Sequence, residues 1–334
     1  ILNDFQKGFK LKPWLWIPAK LAHDLSPYAI EFYSKIFGST KTPVWSPFNY
    51  KNLVFKNRIG IAGGVDKNAD HLVAWESLGC GFLEVGTVTP VAQKPNAGKI
   101  IDRDLESKSL WNKMGFPSAG ADEVFYNVRN FKEHSKTPVF INIGKNRTTE
   151  NSKAHEDYIF LLGHFKSVAD AFVVNISSPN TSGLRDLAKK ENLDLFLTPL
   201  MQAAKDLQIT QPILIKISPD LEESDLRSIL QVSLSHSIDG FILTNTTLSR
   251  KNLNKYPAEG GASGLPVAEL SKRALKIAVQ TCSEEKTKKL IISAGGVMTA
   301  SDVFERIELG ADLVQVYTAL IYEGPGFFRK VSHF

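Results

Sequence analysis

Ala171-Phe172-Val173-Val174-Asn175-Ile176-Ser177-Ser178-Pro179-Asn180-Thr181-Ser182-Gly183-Leu184-Arg185 opens as an apolar run and breaks abruptly into short polar side chains and a proline. A continuous apolar run of this length suits a strand buried on both faces. Such a strand, ending in Asn, Ser, Asn and Thr, brings hydrogen-bonding groups to one end of a dry wall. Taken alone, the same residues also suit an ordinary turn. The pattern gains weight because it recurs. Mostly apolar runs occur at Ile59 to Ala62, Phe82 to Val85, Val139 to Ile141, Ala171 to Val174, Ile213 to Ile215, Gly240 to Leu243, Leu290 to Ile292 and Leu313 to Val316. Helical patterns such as Asp70 to Leu78, Asp220 to Leu234 and Ser301 to Leu309 lie between them. Eight buried strands alternating with helices predict an α/β fold, a (β/α)8 TIM barrel. A doubly wound open sheet usually needs fewer strands. The long segment Thr89 to Gly120 is expected to place loops or extra strands over the barrel mouth.

The 334 residues carry a net charge of +5 and 43% hydrophobic side chains, enough for one large domain with a small appendage. Basic and acidic residues are interspersed, so there is no stripe for nucleic acid. Cys80 and Cys282 stand far apart and are expected as free thiols. No Cys/His spacing suggests a metal. No apolar run reaches the ~18 residues of a membrane span, and no signal peptide is legible. The chain opens at Ile1, which leaves room for residues upstream.

Residues 1–40 are set apart as an appendage to a barrel spanning 41–334. Ile17, Leu21, Ala22 and Leu25 share one helical face behind Pro18. Ser26-Pro27 reads as the cap and first residue of a second helix, with Ile30, Phe32, Tyr33, Ile36 and Phe37 on a broad apolar stripe before Gly38. Two such helices either dock on the barrel or meet a membrane surface or lipophilic ligand.

Barrel chemistry sits at the C-terminal strand ends. Here those ends are Gly63-Gly64-Val65-Asp66-Lys67, Gly86-Thr87, Asn142 with Gly144 and Lys145, Asn175 with Ser178, Lys216, Thr244-Asn245-Thr246, Ala294-Gly295-Gly296 and Tyr317-Thr318. A single lysine could be a surface charge and a single Gly-Gly a turn, but all eight ends are polar or glycine-rich. The Gly-Gly pairs let backbone approach a phosphate. Thr87, Asn142 and Asn175 suit a flat heterocycle. Lys216 at a buried strand end calls for an anion or an electron-rich ring. Together these suggest flavin mononucleotide, FMN. No carboxylate pair or histidine cluster invites hydrolysis or metal catalysis.

The segments Gly63-Gly64-Val65-Asp66-Lys67-Asn68, Asn112-Lys113-Met114-Gly115-Phe116, Ile141 to Asn146, Asn175 to Thr181, Lys216-Ile217-Ser218-Pro219-Asp220 and Thr244-Asn245-Thr246-Thr247 resemble those of dihydroorotate dehydrogenases. The likeness runs over nearly the whole chain. It is to class 2, the membrane-associated, quinone-reducing branch. Ser178 stands where class 1 carries cysteine, and the N-terminal extension is a class 2 feature. The resemblance implies oxidation of dihydroorotate to orotate in pyrimidine biosynthesis, with FMN as hydride acceptor and a membrane quinone as final acceptor. Ser178 resembles the base, assisted by Thr181 and shielded by Phe116. Lys67, Asn112, Lys113, Met114, Gly115, Phe116, Asn175, Asn180, Asn245 and Thr246 resemble the substrate site. Gly63 to Lys67 (with Val65 and Asp66), Thr87, Asn142, Asn175, Lys216, Thr244, Gly264, Gly296, Tyr317 and Thr318 resemble the FMN site. His23 and Arg103 match polar positions of the quinone site. The implied location is peripheral, on the cytoplasmic face of a bacterial inner membrane or on a mitochondrial inner membrane. One basic position usual in the family is missing around Lys99 to Arg103. Rival readings are another FMN barrel, such as a 2-hydroxy-acid oxidase or a tRNA dihydrouridine synthase, or a membrane-surface binding protein with an inactive barrel. The first lacks its histidine here and the second its basic appendage.

Overall fold

The computed structural model of the chain describes residues 12–334, so the first eleven residues of the expected appendage lie outside it. The eight expected strands all form: β1 Ile59–Asp66, β2 Phe82–Val88, β3 Val139–Ile143, β4 Ala171–Asn175, β5 Ile213–Ile217, β6 Gly240–Leu243, β7 Leu290–Ala294 and β8 Leu313–Val316. Each is parallel to its sequence neighbours, and the pairing of Val314 with Ile59 closes the barrel. A helix follows every strand: α2 Leu72–Ser77, α3 Ala121–Lys132, α4 Ala154–Phe165, α5 Lys190–Asp206, α6 Glu223–Ser235, α7 Ala268–Cys282, α8 Ala300–Glu308 and α9 Thr318–Glu323. The last helix, α10, spans Phe327–Ser332.

Strand alternation sorts the apolar side chains into two cores. Phe82, Phe140, Val173, Leu214, Ile242, Ile292 and Leu313 fill the barrel interior. Their strand neighbours Leu83, Ile141, Val174, Ile215, Phe241 and Val314 meet the helices. A hairpin of Phe48–Tyr50 and Leu53–Phe55 plugs the far end. Its Phe55 ring stands edge-on to Phe82 at 5.9 Å and Phe140 at 6.2 Å. At the opposite end an antiparallel sheet of Ile101–Asp104, Ser109–Asn112 and Gly261–Gly264 covers part of the mouth. Two of its strands come from the segment expected there.

Two expectations need correction. β1 and β2 run past Ala62 and Val85, taking in Gly63 to Asp66 and Gly86 to Val88, with register shifts at Ile61/Asp66 and Val85/Val88. The glycines let these ends bulge and remain strand. The appendage is also a single helix, α1 Ala19–Phe37, behind a short 3-10 turn Pro13–Leu15, rather than two helices. Pro27 lies inside it. Its missing amide would leave the His23 carbonyl without a donor, and Ser26 Oγ fills that role at 2.7 Å.

α1 has two apolar faces. Ile30 is buried, and Tyr33 and Phe37 pack together on the inner side with ring centroids 4.6 Å apart. Leu21, Leu25, Tyr28, Phe32 and Ile36 form an outer stripe, with Tyr28 76% and Phe32 68% exposed. Among the described residues no helix is long and apolar enough to cross a membrane. Cys80 and Cys282 are free thiols.

Candidate active site

The inward positions nearest the barrel mouth are polar, in phase with the apolar residues beneath them. Glu84, Asn142, Asn175, Lys216 and Gln315 each stand two residues beyond Phe82, Phe140, Val173, Leu214 and Leu313 respectively. They meet on the barrel axis. The fully buried Glu84 carboxylate accepts from Lys216 Nζ at 3.0 Å, Asn142 Nδ2 at 2.5 Å and Gln315 Nε2 at 2.5 Å. Asn142 Oδ1 accepts from Thr87 Oγ1 at 2.6 Å, and Thr87 Oγ1 accepts from Asn175 Nδ2 at 2.9 Å. A buried ion is tolerated when its partners complete its hydrogen bonds, and here three strands besides its own do so. Glu84 and Gln315 were not singled out from the sequence. The signal was present as one polar residue inside each apolar run, Phe82-Leu83-Glu84-Val85 and Leu313-Val314-Gln315-Val316.

Above this layer opens a cleft enclosing about 1050 Å³ including its mouth, lined by residues from all the strand ends except β3 and by the covering sheet. Most expected site residues line it: Gly63, Gly64, Lys67, Thr87, Asn112, Met114, Gly115, Phe116, Asn175, Ser178, Asn180, Lys216, Thr244, Asn245, Thr246, Gly264, Gly296, Tyr317 and Thr318. At one end, Ser178 Oγ accepts from the Asn180 amide at 3.2 Å. Asn180 Nδ2 donates to Asn112 Oδ1 at 2.9 Å, tying the β4 loop to the covering sheet. Phe116, buried at a φ of 54°, packs over Gly144. A Cβ there would sit 2.9 Å from the Phe116 ring, which is why glycine follows β3. Lys67 lies in the cleft, where desolvation lowers its pKa against a pull from Asp66.

At the other end, Gly295 and Gly296 hold φ of 98° and 72° against the start of α7. A Cβ on Gly296 would come within 2.3 Å of Ala268 Cα. Thr318 Oγ1 and Ser263 Oγ lie 2.9 Å apart at this end. Burial pushes the neighbouring Tyr317 phenol up to about 12, so it stays protonated.

Several expected residues sit elsewhere. Asn142 forms the layer beneath the cleft, and Val65 packs on the outer core. The Asp66 carboxylate accepts from the Asp70 and His71 amides, both at 2.9 Å, and so shapes the β1–α2 turn. Lys113 pairs with Glu259 at 2.7 Å. Thr181 is buried beside the β4 loop, off the cleft wall, and its Oγ1 has no partner among the described residues. Arg103 Nη2 donates to the Trp14 carbonyl at 2.9 Å and also to that of Ile17, clamping the approach to α1 onto the covering sheet. His23 faces inward from α1. Burial, then the charge of Lys67, pushes its pKa down to about 4, leaving the ring neutral near pH 7. Sequence reading also passed over Arg185. It donates to the Ser177 carbonyl at 3.0 Å, the Thr246 carbonyl at 3.0 Å and Asp220 at 2.8 Å, locking the β4 and β6 loops together.

These features fit FMN. The cleft wall carries Lys67, which has no ion pair among the described residues, while Lys216 is balanced by Glu84 beneath it, so the net field favours anionic groups. Buried Thr246 Oγ1, Asn180 Oδ1 and Gln315 Oε1, all on residues of its wall, have no partner among the described residues. Unpaired buried polar atoms at a cleft are what a polar ligand satisfies. The glycine-walled end has room for a phosphate because no Cβ intrudes.

Known proteins agree with this geometry. Residues 47–333 match the family model described as dihydroorotate dehydrogenase. The chain is 41% identical over 295 residues to the dihydroorotate dehydrogenase (quinone) of Idiomarina loihiensis, covering 86% of each. It is 39% identical over 322 residues to that of Haemophilus ducreyi, covering 94% of each. The structure of DHODH in complex with ferulenol from Eimeria tenella superposes with a TM-score of 0.86 at 31% identity, covering 95% of this chain and 90% of that one.

Proposed function

The chain belongs to the dihydroorotate dehydrogenase family, in its quinone-dependent branch, and from that premise we propose the part each of its residues plays. The protein oxidises dihydroorotate to orotate in pyrimidine biosynthesis, with FMN as cofactor and a quinone as acceptor. FMN, when bound, supplies the acceptor for a hydride.

The observation that carries our assignment is the Ser178 hydroxyl. It is buried on the cleft wall, fixed by the Asn180 amide, among residues that can hold an anionic ring. As its own hydroxyl proton passes on through Thr181 and water, Ser178 Oγ takes the proton from the ring carbon next to the one that gives up hydride. Its remaining lone pair is free to do so because the Asn180 amide occupies only one. Lys67 holds the substrate carboxylate, since its ammonium has no ion pair among the described residues. Asn112, Asn180, Asn245 and Thr246 orient the ring by its amide and carbonyl groups. Phe116 over Gly144 keeps water from the transferring proton. Gly264, Gly296 and Thr318 hold the cofactor phosphate, while Thr87, Asn175 and Lys216 face its ring.

α1 supplies the acceptor side. Its outer stripe of Leu21, Leu25, Tyr28, Phe32 and Ile36 rests on a membrane surface. Its inner face places His23 near enough to Lys67 for that charge to act on it. A quinone leaving the membrane along this face therefore arrives beside the cleft. Replacing Ser178 by Ala is expected to slow flavin reduction by dihydroorotate by ~10²- to 10⁴-fold, the usual worth of a general base, with flavin still bound. Stopped-flow absorbance measures it, and near-normal reduction would remove Ser178 from the role.

A further inference from the structure

Arg306 is among the largest fully buried side chains of the protein, at 1% exposure. It lies on α8, behind the Gly295-Gly296 turn and off the cleft wall. Its Nη1 donates to Ser271 Oγ at 2.8 Å and Ser293 Oγ at 3.0 Å. Its Nη2 donates to the Gly295 carbonyl at 3.1 Å and the Ala268 carbonyl at 3.2 Å. Every partner is neutral. The nearest acids are engaged elsewhere: Glu269 and Glu305 both pair with Lys272, and Asp302 accepts from the Met298 and Thr299 amides. Among the described residues no carboxylate lies within salt-bridge distance of the guanidinium.

A buried cation without a counter-ion is costly. This one lies directly beneath the end of the cleft that suits an anion. Its bonds also aim that end. In a trans peptide the C=O and N–H point opposite ways. The Gly295 carbonyl is held on the buried side by Arg306 and by Ser271 Oγ at 2.7 Å. The amide of the same peptide, on Gly296, is thereby turned toward the cleft. Ser271 is itself held by Arg306, so one guanidinium fixes both donors to that oxygen.

We propose that Arg306 is a positioning residue for the cofactor phosphate: it orients the Gly296 amide and supplies a buried positive charge behind it, without touching the ligand. This rests on the FMN reading of the cleft. It makes the protein's preference for FMN over riboflavin, which lacks only the phosphate, depend on α8.

The test is fluorescence titration of the flavin-stripped full chain with FMN and with riboflavin. In Arg306→Met the FMN affinity is expected to fall about tenfold or more, while riboflavin affinity changes by less than about twofold. The salt dependence of FMN binding should change little, because the charge removed is buried and barely screened. Arg306→Lys, which keeps the charge but loses the forked grip, should fall between. If Arg306→Met does not fold, Arg306→Lys and Ser271→Ala decide, each expected to lower FMN affinity selectively. Equal losses for both flavins would make Arg306 a brace of the fold and overturn the proposal. Unchanged affinities would overturn it as well. Wild-type protein that bound neither flavin would instead overturn the FMN reading beneath it.

Discussion

The barrel cleft and helix α1 solve opposite problems with opposite materials. In the cleft, polar side chains from most of the strands are locked to one another inside a closed sheet, and Glu84 alone joins β2, β3, β5 and β8. α1 is held by scattered anchors: buried Ile30, the Glu31–His71 pair at 2.9 Å, and the Arg103 clamp just ahead of it. It turns a row of apolar side chains outward. A site that must place a proton and a hydride needs rigid, satisfied polar groups. The membrane contact and quinone path proposed for α1 need apolar area and tolerate looser seating. The two halves of the reaction are therefore expected to fail separately.

The sharpest break of that contrast lies at Glu84. Glu84→Leu leaves Lys216 buried without its counter-ion, a loss of about 3–5 kcal/mol when one partner of a buried pair is removed. The expected result is a large drop in denaturant midpoint together with lost flavin. Glu84→Gln, which keeps the hydrogen-bonding shape, should lose less. A Leu variant of unchanged midpoint would mean the cleft network is no more cooperative than α1.

A smaller effect is expected on the outer stripe. Replacing Tyr28 and Phe32 by Ser removes two of its most exposed rings. Partition onto lipid vesicles should fall about tenfold or more, from the ~25 cal/mol per Å² of apolar area no longer buried. Reoxidation by a lipophilic quinone should slow with it, while flavin reduction by dihydroorotate stays within about twofold. If vesicle binding is unchanged, the stripe is not the membrane contact. If dihydroorotate oxidation falls equally, the two regions are not separable.

The smallest effect concerns pH. His23 has its pKa pushed down from 6.5 to about 4, by burial first and Lys67 second. An unfolded or undocked α1 takes up a proton as pH falls through 6.5, whereas the docked helix takes it up only near 4. The undocked state binds more protons in that window, so docking weakens on acidification and is fully favourable only above it. His23→Gln should flatten this slope, read as protease sensitivity of α1 between those limits. Equal slopes would place the histidine outside the acid response.

Much of this was legible in the chain itself. Eight continuous apolar runs and their polar ends gave the barrel, the side of it that carries chemistry, and most of the cleft wall from Gly63 to Thr318. Ser26-Pro27 misled, because cap-and-proline chemistry at a helix start looks the same as a serine compensating a proline within a helix. Asp66 and Lys113 were assigned to the site by position in their motifs. Their side chains turn instead to the β1–α2 amides and to Glu259, which motif spacing does not encode.

Local sequence settled where each strand runs and ends, and the two-residue period of an extended chain then places successive side chains on opposite faces without any distant contact. Closure of the barrel decided the rest. It set Gln315 against Glu84 across 231 positions of chain and Lys216 against the same carboxylate across 132. It carried Arg306 from α8 to the back of a turn on β7 and laid α1 so that one face is covered and the other bare. A buried charge has no preferred partner along the chain. Its partner is whichever group the tertiary fold leaves within hydrogen-bonding reach once water has been excluded.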